Sequence, residues 1–181
     1  MNTSFVRAAL AAFALSFLAA CGGSGGSVSG SSAGAGSPDS RCTTRSAATD
    51  QYMKADSSTK TVTVVLDITG FSYDGYSNGQ MTVCVPQGWK VTAQCTNKTN
   101  VPHSCAVVEN ATATSPAFSG AATKDPVGGL KPGDSETFTF TPDRTGQFRI
   151  VCLVPGHEDA GMWDYFNVTS TGDPLIASSG A

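Results

Sequence analysis

From residue 60 to residue 170 the chain repeats one pattern: short runs that alternate apolar and polar residues, broken by Gly, Pro, Asn and Asp. The runs are TVTVVLDIT (61–69), QMTVCVP (80–86), WKVTAQCTN (89–97), SCAVVEN (104–110), SETFTFTP (135–142), GQFRIVCLV (146–154) and MWDYFNVTS (162–170). Period-two alternation puts every second side chain on one face of a strand, so each run is a strand with one buried face. About seven short strands with this punctuation make an all-β chain, and the architecture that buries them is a β-sandwich. SETFTFTP and GQFRIVCLV read as a hairpin pair around Asp143-Arg144-Thr145. No segment has helical periodicity beyond room for a short helical turn within 111–128, in an Ala/Thr/Ser/Gly stretch that closes at LKPGD. There is no internal repeat.

The chemistry lies in the run CLVPGHEDAGM, which spaces Cys152, His157 and Met162 as C-x4-H-x4-M, with Pro155-Gly156 bending the backbone between the first two. Phe148, Ile150 and Cys152 share a strand face, so Cys152 ends a core-facing row while His157 and Met162 fall in the following loop. The chain has two histidines. The second, His103, opens a strand in VPHSC, where Pro102 stiffens its approach. A thiolate, two imidazoles and a weak thioether are the ligands of a blue-copper electron-transfer site. One strand start and one inter-strand loop place that site at an end of the sandwich, where loops gather and a rigid framework can restrain the ligands. Val154, Pro155, Gly156 and Gly161 carry no charge, so a small apolar rim is expected around His157, with redox partners docking at that end.

The N-terminus reads as an export signal over residues 1–20. Arg7 precedes the apolar AALAAFALSFLAA, and LAAC (Leu18 to Cys21) has the form of a lipoprotein cleavage site. The apolar stretch is short for a membrane span. The expected product is a bacterial lipoprotein acylated at Cys21, exported and anchored to a membrane, with its domain facing the periplasm or the cell exterior. Residues 21–45 form a lipidated linker, mostly Gly, Ser and Ala up to residue 40, that cannot bury enough apolar surface to fold. A linker of that length holds the domain ~25–30 Å from its anchor on average. Residues 46–172 then make one domain and 173–181 a flexible C-terminal tail. Cleavage removes Arg7 and no acid, leaving ten Lys and Arg against fourteen Asp and Glu, a net charge of −4. That mild scattered acidity, with no basic patch, excludes a nucleic-acid partner and fits a monomer.

Six cysteines fit an oxidising compartment. With Cys21 assigned to lipid and Cys152 to metal, Cys42, Cys84, Cys95 and Cys105 allow three pairings, which sequence alone does not choose among. Cys95 and Cys105 flank the loop TNKTNVP almost symmetrically, which favours that pair and leaves Cys42 with Cys84.

The stretches FSYDGYSNGQMTVCVPQGWKVTAQCTNKTNVPHS (71–104) and LKPGDSETFTFTPDRTGQFRIVCLVPGHEDAGMW (130–163) resemble the cupredoxins, in the branch with the longer ligand loop that includes sulfocyanin, rusticyanin and auracyanin. The resemblance implies a Greek-key cupredoxin sandwich and one-electron transfer by a single type 1 copper held by His103, Cys152, His157 and Met162. The four extra cysteines depart from that pattern. Many cupredoxins carry Asn after the first histidine, where this chain has Ser104. The shorter side chain is expected to leave fewer donors near the thiolate and so to favour Cu(I).

Enzyme readings fit poorly. An oxidase or reductase with a second copper centre needs further histidines, and a binuclear centre needs a second cysteine in the ligand loop. The competing reading is an exported copper-trafficking protein, although such carriers usually repeat Met or His in open arrangements. A structural adhesin is a weaker third.

Overall fold

The computed structural model describes residues 37–109 and 111–179. The export signal (1–20), Cys21 and the linker before residue 37 lie outside them. In chain order the elements are a 3-10 turn (Pro38–Arg41), α1 (Ala47–Tyr52), β1 (Met53–Asp56), β2 (Thr61–Ile68), β3 (Met81–Pro86), β4 (Lys90–Asn97), β5 (Ala106–Val108), β6 (Ser135–Phe140), β7 (Gly146–Val151), β8 (Trp163–Thr169) and β9 (Leu175–Ser178). One sheet has the order β1-β2-β4-β6 and the other β5-β7-β8-β3-β9. The pairs β2–β4 and β3–β8 are parallel and the rest antiparallel. The fold is the two-sheet β-sandwich that the alternating runs predict.

The alternation in sequence becomes the core. β2 turns Val62, Val64, Leu66 and Ile68 inward, and β4 turns in Val91, Ala93 and Cys95. They meet Val83, Phe148, Ile150 and Phe166 from the other sheet in one continuous apolar layer. Each fully buried side chain of this kind contributes about 1.5–3 kcal/mol. Strand β3 is buried on both faces because the N-terminal segment lies against it, joined by the Cys42–Cys84 disulfide. Cys95 of β4 is bonded to Cys105, just before β5, so the second disulfide ties one sheet to the other.

Four local expectations are corrected. β6 and β7 do not form a hairpin, because β6 pairs with β4 and β7 with β5 and β8, so the Asp143-Arg144-Thr145 connection crosses between sheets. Residues 111–128 contain no helix. They run along the edge of β5 through bridges Ala106–Ala122 and Val108–Pro116, and they bury Phe118 against Phe140 and Phe148, with ring centres 5.9 and 4.7 Å away. The α-helix among the described residues, α1, precedes the first strand. The expected 173–181 tail is corrected over its described residues 173–179, since Leu175–Ser178 is strand β9 on the edge beside β3. Ile176 in that strand is buried, and Thr49 of α1 exchanges hydrogen bonds with its backbone. Likewise the part of the 21–45 linker from residue 38 belongs to the domain, through the 3-10 turn and Cys42.

Between β2 and β3 a tight hairpin over residues 68–76 is locked by Asp74. The Asp67 N–H donates to Asp74 Oδ1 at 2.9 Å, the Asp74 N–H donates to the Asp67 carbonyl at 2.8 Å, and Asp74 Oδ2 is buried without a hydrogen-bond partner among the described residues. Burial pushes this carboxyl up to about 7, against the lowering effect of the Asp67 N–H bond, with the charges of Asp67 and Asp164 adding smaller increments to the rise. Between about pH 4 and pH 7 the native state therefore holds a proton that the unfolded chain has lost. Its stabilising contribution is full below about pH 4 and disappears as pH rises through 7. Asp74→Asn, uncharged throughout, should accordingly gain on the wild type by several degrees in Tm at pH 8 and keep only a minor part of that advantage at pH 5. Thermal melts of the metal-free proteins check this. An unchanged Tm difference at the two pH values would show that Asp74 ionises as an ordinary exposed carboxylate.

Candidate metal centre

Cys152 directly follows the last residue of β7 and continues its inward row, buried behind Ile150. The ten residues after it fold back on themselves. The Cys152 N–H donates to the Met162 carbonyl at 3.3 Å, the Met162 N–H to the His157 carbonyl at 3.0 Å, and the His157 N–H to the Val154 carbonyl at 3.1 Å. The loop ends at Gly161, whose φ of +93° favours glycine and whose missing Cβ would sit 2.5 Å from the Asn78 amide. His103 arrives from the opposite side. Its N–H and C=O pair with Leu130, and a Cβ on Gly129 would lie 2.9 Å from the His103 nitrogen. The buried Asn97 side chain donates to the Val101 and Leu130 carbonyls at 2.7 and 2.9 Å, fixing the loop that carries His103.

These supports bring all four sequence candidates to one point. Cys152 Sγ is 3.3 Å from His157 Nδ1 and 4.0 Å from His103 Nδ1, the two Nδ1 atoms are 3.1 Å apart, and Met162 Sδ is 3.1 Å from His103 Nδ1. An ion that bonds imidazole and thiolate at roughly 2.0–2.3 Å requires donors no more than about 4.5 Å apart, so the residues present fit one such ion. One thiolate, two imidazoles and a thioether select copper among the ions of that size. His103, Cys152 and Met162 are buried, and His157 is half-buried.

Electrostatics prepares the donors. Burial lowers both imidazoles, His103 to about 4 with the adjacent His157 adding to the effect, so each presents a neutral ring with a free lone pair. Burial pushes the Cys152 thiol up, opposed by hydrogen bonds from Ser104 and Val154. Metal binding thus displaces the thiol proton.

Ser104 does more than expected. Its N–H and hydroxyl lie 3.2 and 3.6 Å from Cys152 Sγ, and its oxygen accepts the Leu153 N–H at 2.9 Å. With the Val154 N–H the sulfur has three donors nearby, so the expectation of a poorly solvated thiolate is corrected. The sign is corrected too. Donors withdraw charge from sulfur and weaken its donation to Cu(II), so their presence, not their absence, favours Cu(I).

Several supporting residues escape sequence reading: Asn97, Tyr73, Phe71 and Arg149. Tyr73 is fully buried and its hydroxyl donates to the Ser104 carbonyl at 2.7 Å. Arg149 pairs with Glu158, beside His157, at 3.0 Å and lies 3.8 Å over the ring of Trp163, beside Met162. Aromatic residues inside an otherwise turn-like FSYDGYSNG, and an arginine in a strand, are the signals that point to Phe71, Tyr73 and Arg149; nothing local points to Asn97. The apolar rim also changes, because Gly161 is buried under Asn78 while exposed Phe71 takes its place.

Ser104→Ala should keep copper and its visible band but lower the reduction potential by on the order of tens of millivolts, given about 59 mV per tenfold change for one electron. Protein-film voltammetry reads the shift. A rise in potential would mean that the hydroxyl does not act through the sulfur.

Residues 48–173 match the sulfocyanin (SoxE) domain family. A curated sulfocyanin from Sulfolobus acidocaldarius is 31% identical over 125 residues, which cover 59% of this chain and 63% of that protein. Similar solved structures include reduced auracyanin from Roseiflexus castenholzii (23% identity, TM-score 0.48, 64% of this chain and 99% of that one). Rusticyanin from Thiobacillus ferrooxidans is another (25% identity, TM-score 0.46, 67% of this chain and 90% of that one). With the matched domain spanning most of the chain and enclosing all four ligands, the chain belongs to the sulfocyanin family of cupredoxins.

Proposed function

We propose that this protein is a membrane-tethered one-electron carrier that shuttles electrons between redox proteins of an electron-transport chain. The observation that carries the reading is the closed cage, with three of the four ligands buried and His157 alone reaching the surface. Copper bound there supplies a Cu(II)/Cu(I) couple. The protein's part is to hold the donors still through both oxidation states. Paired backbone around His103, the folded ligand loop and the Cys95–Cys105 bridge all restrict their movement. Such a cage suits electron passage through the His157 edge better than substrate turnover or copper hand-over, which need open coordination positions.

Partners are proposed to dock at the His157 end. Pro155 and Gly156 are exposed there, Val154 is half-buried, and Phe71 stands beside His157 with 45% of its surface exposed. A patch of this kind fits transient encounters, with an interface below ~1,200 Å². The carrier is proposed to act as a monomer held to a bacterial membrane by lipid on Cys21, with the domain in the periplasm or outside the cell.

The copper-loaded protein should show an intense visible thiolate-to-copper band that Cys152→Ser abolishes, while Met162→Leu keeps copper and raises the potential. A trafficking protein would show no such band. A charge placed at Pro155 should slow bimolecular electron transfer in stopped flow several-fold more than the same charge at exposed Thr139 in β6. Equal slowing would replace local docking with a long-range charge effect.

Cys21→Ser should move the protein from the membrane to the soluble fraction with its spectrum intact. Retention of that variant on salt-washed membranes would rule out lipid as the tether.

A further inference from the structure

Phe71 stands out among the exposed side chains. Large aromatic rings are normally buried for their apolar area, yet Phe71 keeps 45% of its surface exposed at the tip of the 68–76 hairpin. Its ring is nearly perpendicular to both imidazoles, with centres 4.9 Å from His157 at 82° and 5.6 Å from His103 at 76°. The imidazoles themselves lie 4.6 Å apart. Phe71 therefore completes a three-ring cluster and contacts the half-buried ligand on its outer side.

The backbone beneath Phe71 is not free to swing. Ile68 bridges to Tyr73 and Tyr73 to Tyr76, and the Thr69 N–H donates to the Ser72 carbonyl at 3.1 Å. Below the tip, the buried Tyr73 hydroxyl is bonded to the Ser104 carbonyl, next to His103. Beyond it, the Asn78 N–H is bonded to the Gly161 carbonyl at 2.9 Å, next to Met162. Asp74 clamps the hairpin to β2. The segment carrying Phe71 is thus fastened to the neighbours of two ligands.

We propose that Phe71 is a positioning residue of the copper site, a fixed cap that holds both imidazoles in place and slows copper exchange. Buried His103, Cys152 and Met162 have little room to leave the metal, so release begins with rotation of the His157 ring. That rotation must break the ring contact with Phe71, which the anchored hairpin keeps from yielding. The cap rests on copper binding at this site and is independent of what the copper carries.

The test uses the copper-loaded wild type, Phe71→Ala, Phe71→Tyr and, as a control, Val127→Ala, which trims another exposed apolar side chain. Reduced protein is challenged with the Cu(I) chelator bicinchoninate and copper transfer is followed optically. Phe71→Ala should release copper about tenfold faster, the scale of two edge-to-face ring contacts. Phe71→Tyr and Val127→Ala should stay close to wild type. In the metal-free protein, NMR signals of the His157 ring should broaden in Phe71→Ala while the Tm and the backbone spectrum hold. Wild-type release rates in Phe71→Ala, or failure of Phe71→Tyr to restore slow release, would overturn the cap. Lack of any Cys152-dependent colour in the wild type would instead overturn the copper reading beneath it.

Discussion

Ser104 is the joint on which the metal centre depends. It follows one ligand in the chain and touches another, lying 48 positions from Cys152. Its N–H and hydroxyl point at the Cys152 sulfur, its oxygen receives the N–H of Leu153, and its carbonyl receives the Tyr73 hydroxyl. A single buried residue thus joins the His103 strand, the ligand loop and the 68–76 hairpin. Hydrogen bonds to a charged group are worth more than neutral ones, about 1.5–3 kcal/mol each, so the joint is strongest when the sulfur is a thiolate. Metal binding and local rigidity therefore reinforce each other.

The framework around this joint is braced where motion would matter most. The Cys95–Cys105 bridge crosses between the sheets two residues from His103, and closing its short loop removes about 3 kcal/mol of unfolded-state entropy in the chain-entropy treatment. The Cys42–Cys84 bridge closes a longer loop, about 4 kcal/mol on the same basis, and holds the N-terminal segment on β3. Arg149 adds a third brace by linking the residue after His157 to the residue after Met162. Pinning at several independent points suits a site that must keep its donors in one arrangement while charge moves through them.

Much of this was legible in the alternating runs. Where a strand has one face in the core and one in water, as in β2 and β4, period two is unmistakable. Legibility failed where another element changes what a residue faces. The strand β9 is four residues long and owes its place to pairing with β3 and to Thr49 of α1, neither of which is visible in LIAS alone. The expected β6–β7 hairpin failed because a short connection between alternating runs is compatible with a turn within one sheet and with a crossing between two. Segment 111–128 left room only for a short helical turn in sequence, because its contacts with β5 are made through the backbone.

The sequence by itself determined the donor chemistry: one loop cysteine, one loop methionine and only two histidines leave little choice of ligands for a soft metal. It also determined that the chain is a β-sandwich, since side-chain alternation is a local property that follows from backbone geometry. The tertiary structure alone decided what surrounds the donors. That Ser104 serves the sulfur with two donors, that Asn97 and Gly129 set His103, that Gly161 is covered by Asn78, and that Phe71 stands over both imidazoles are all contacts between distant segments. Such contacts depend on how strands are ordered across two sheets, and no local periodicity encodes that order.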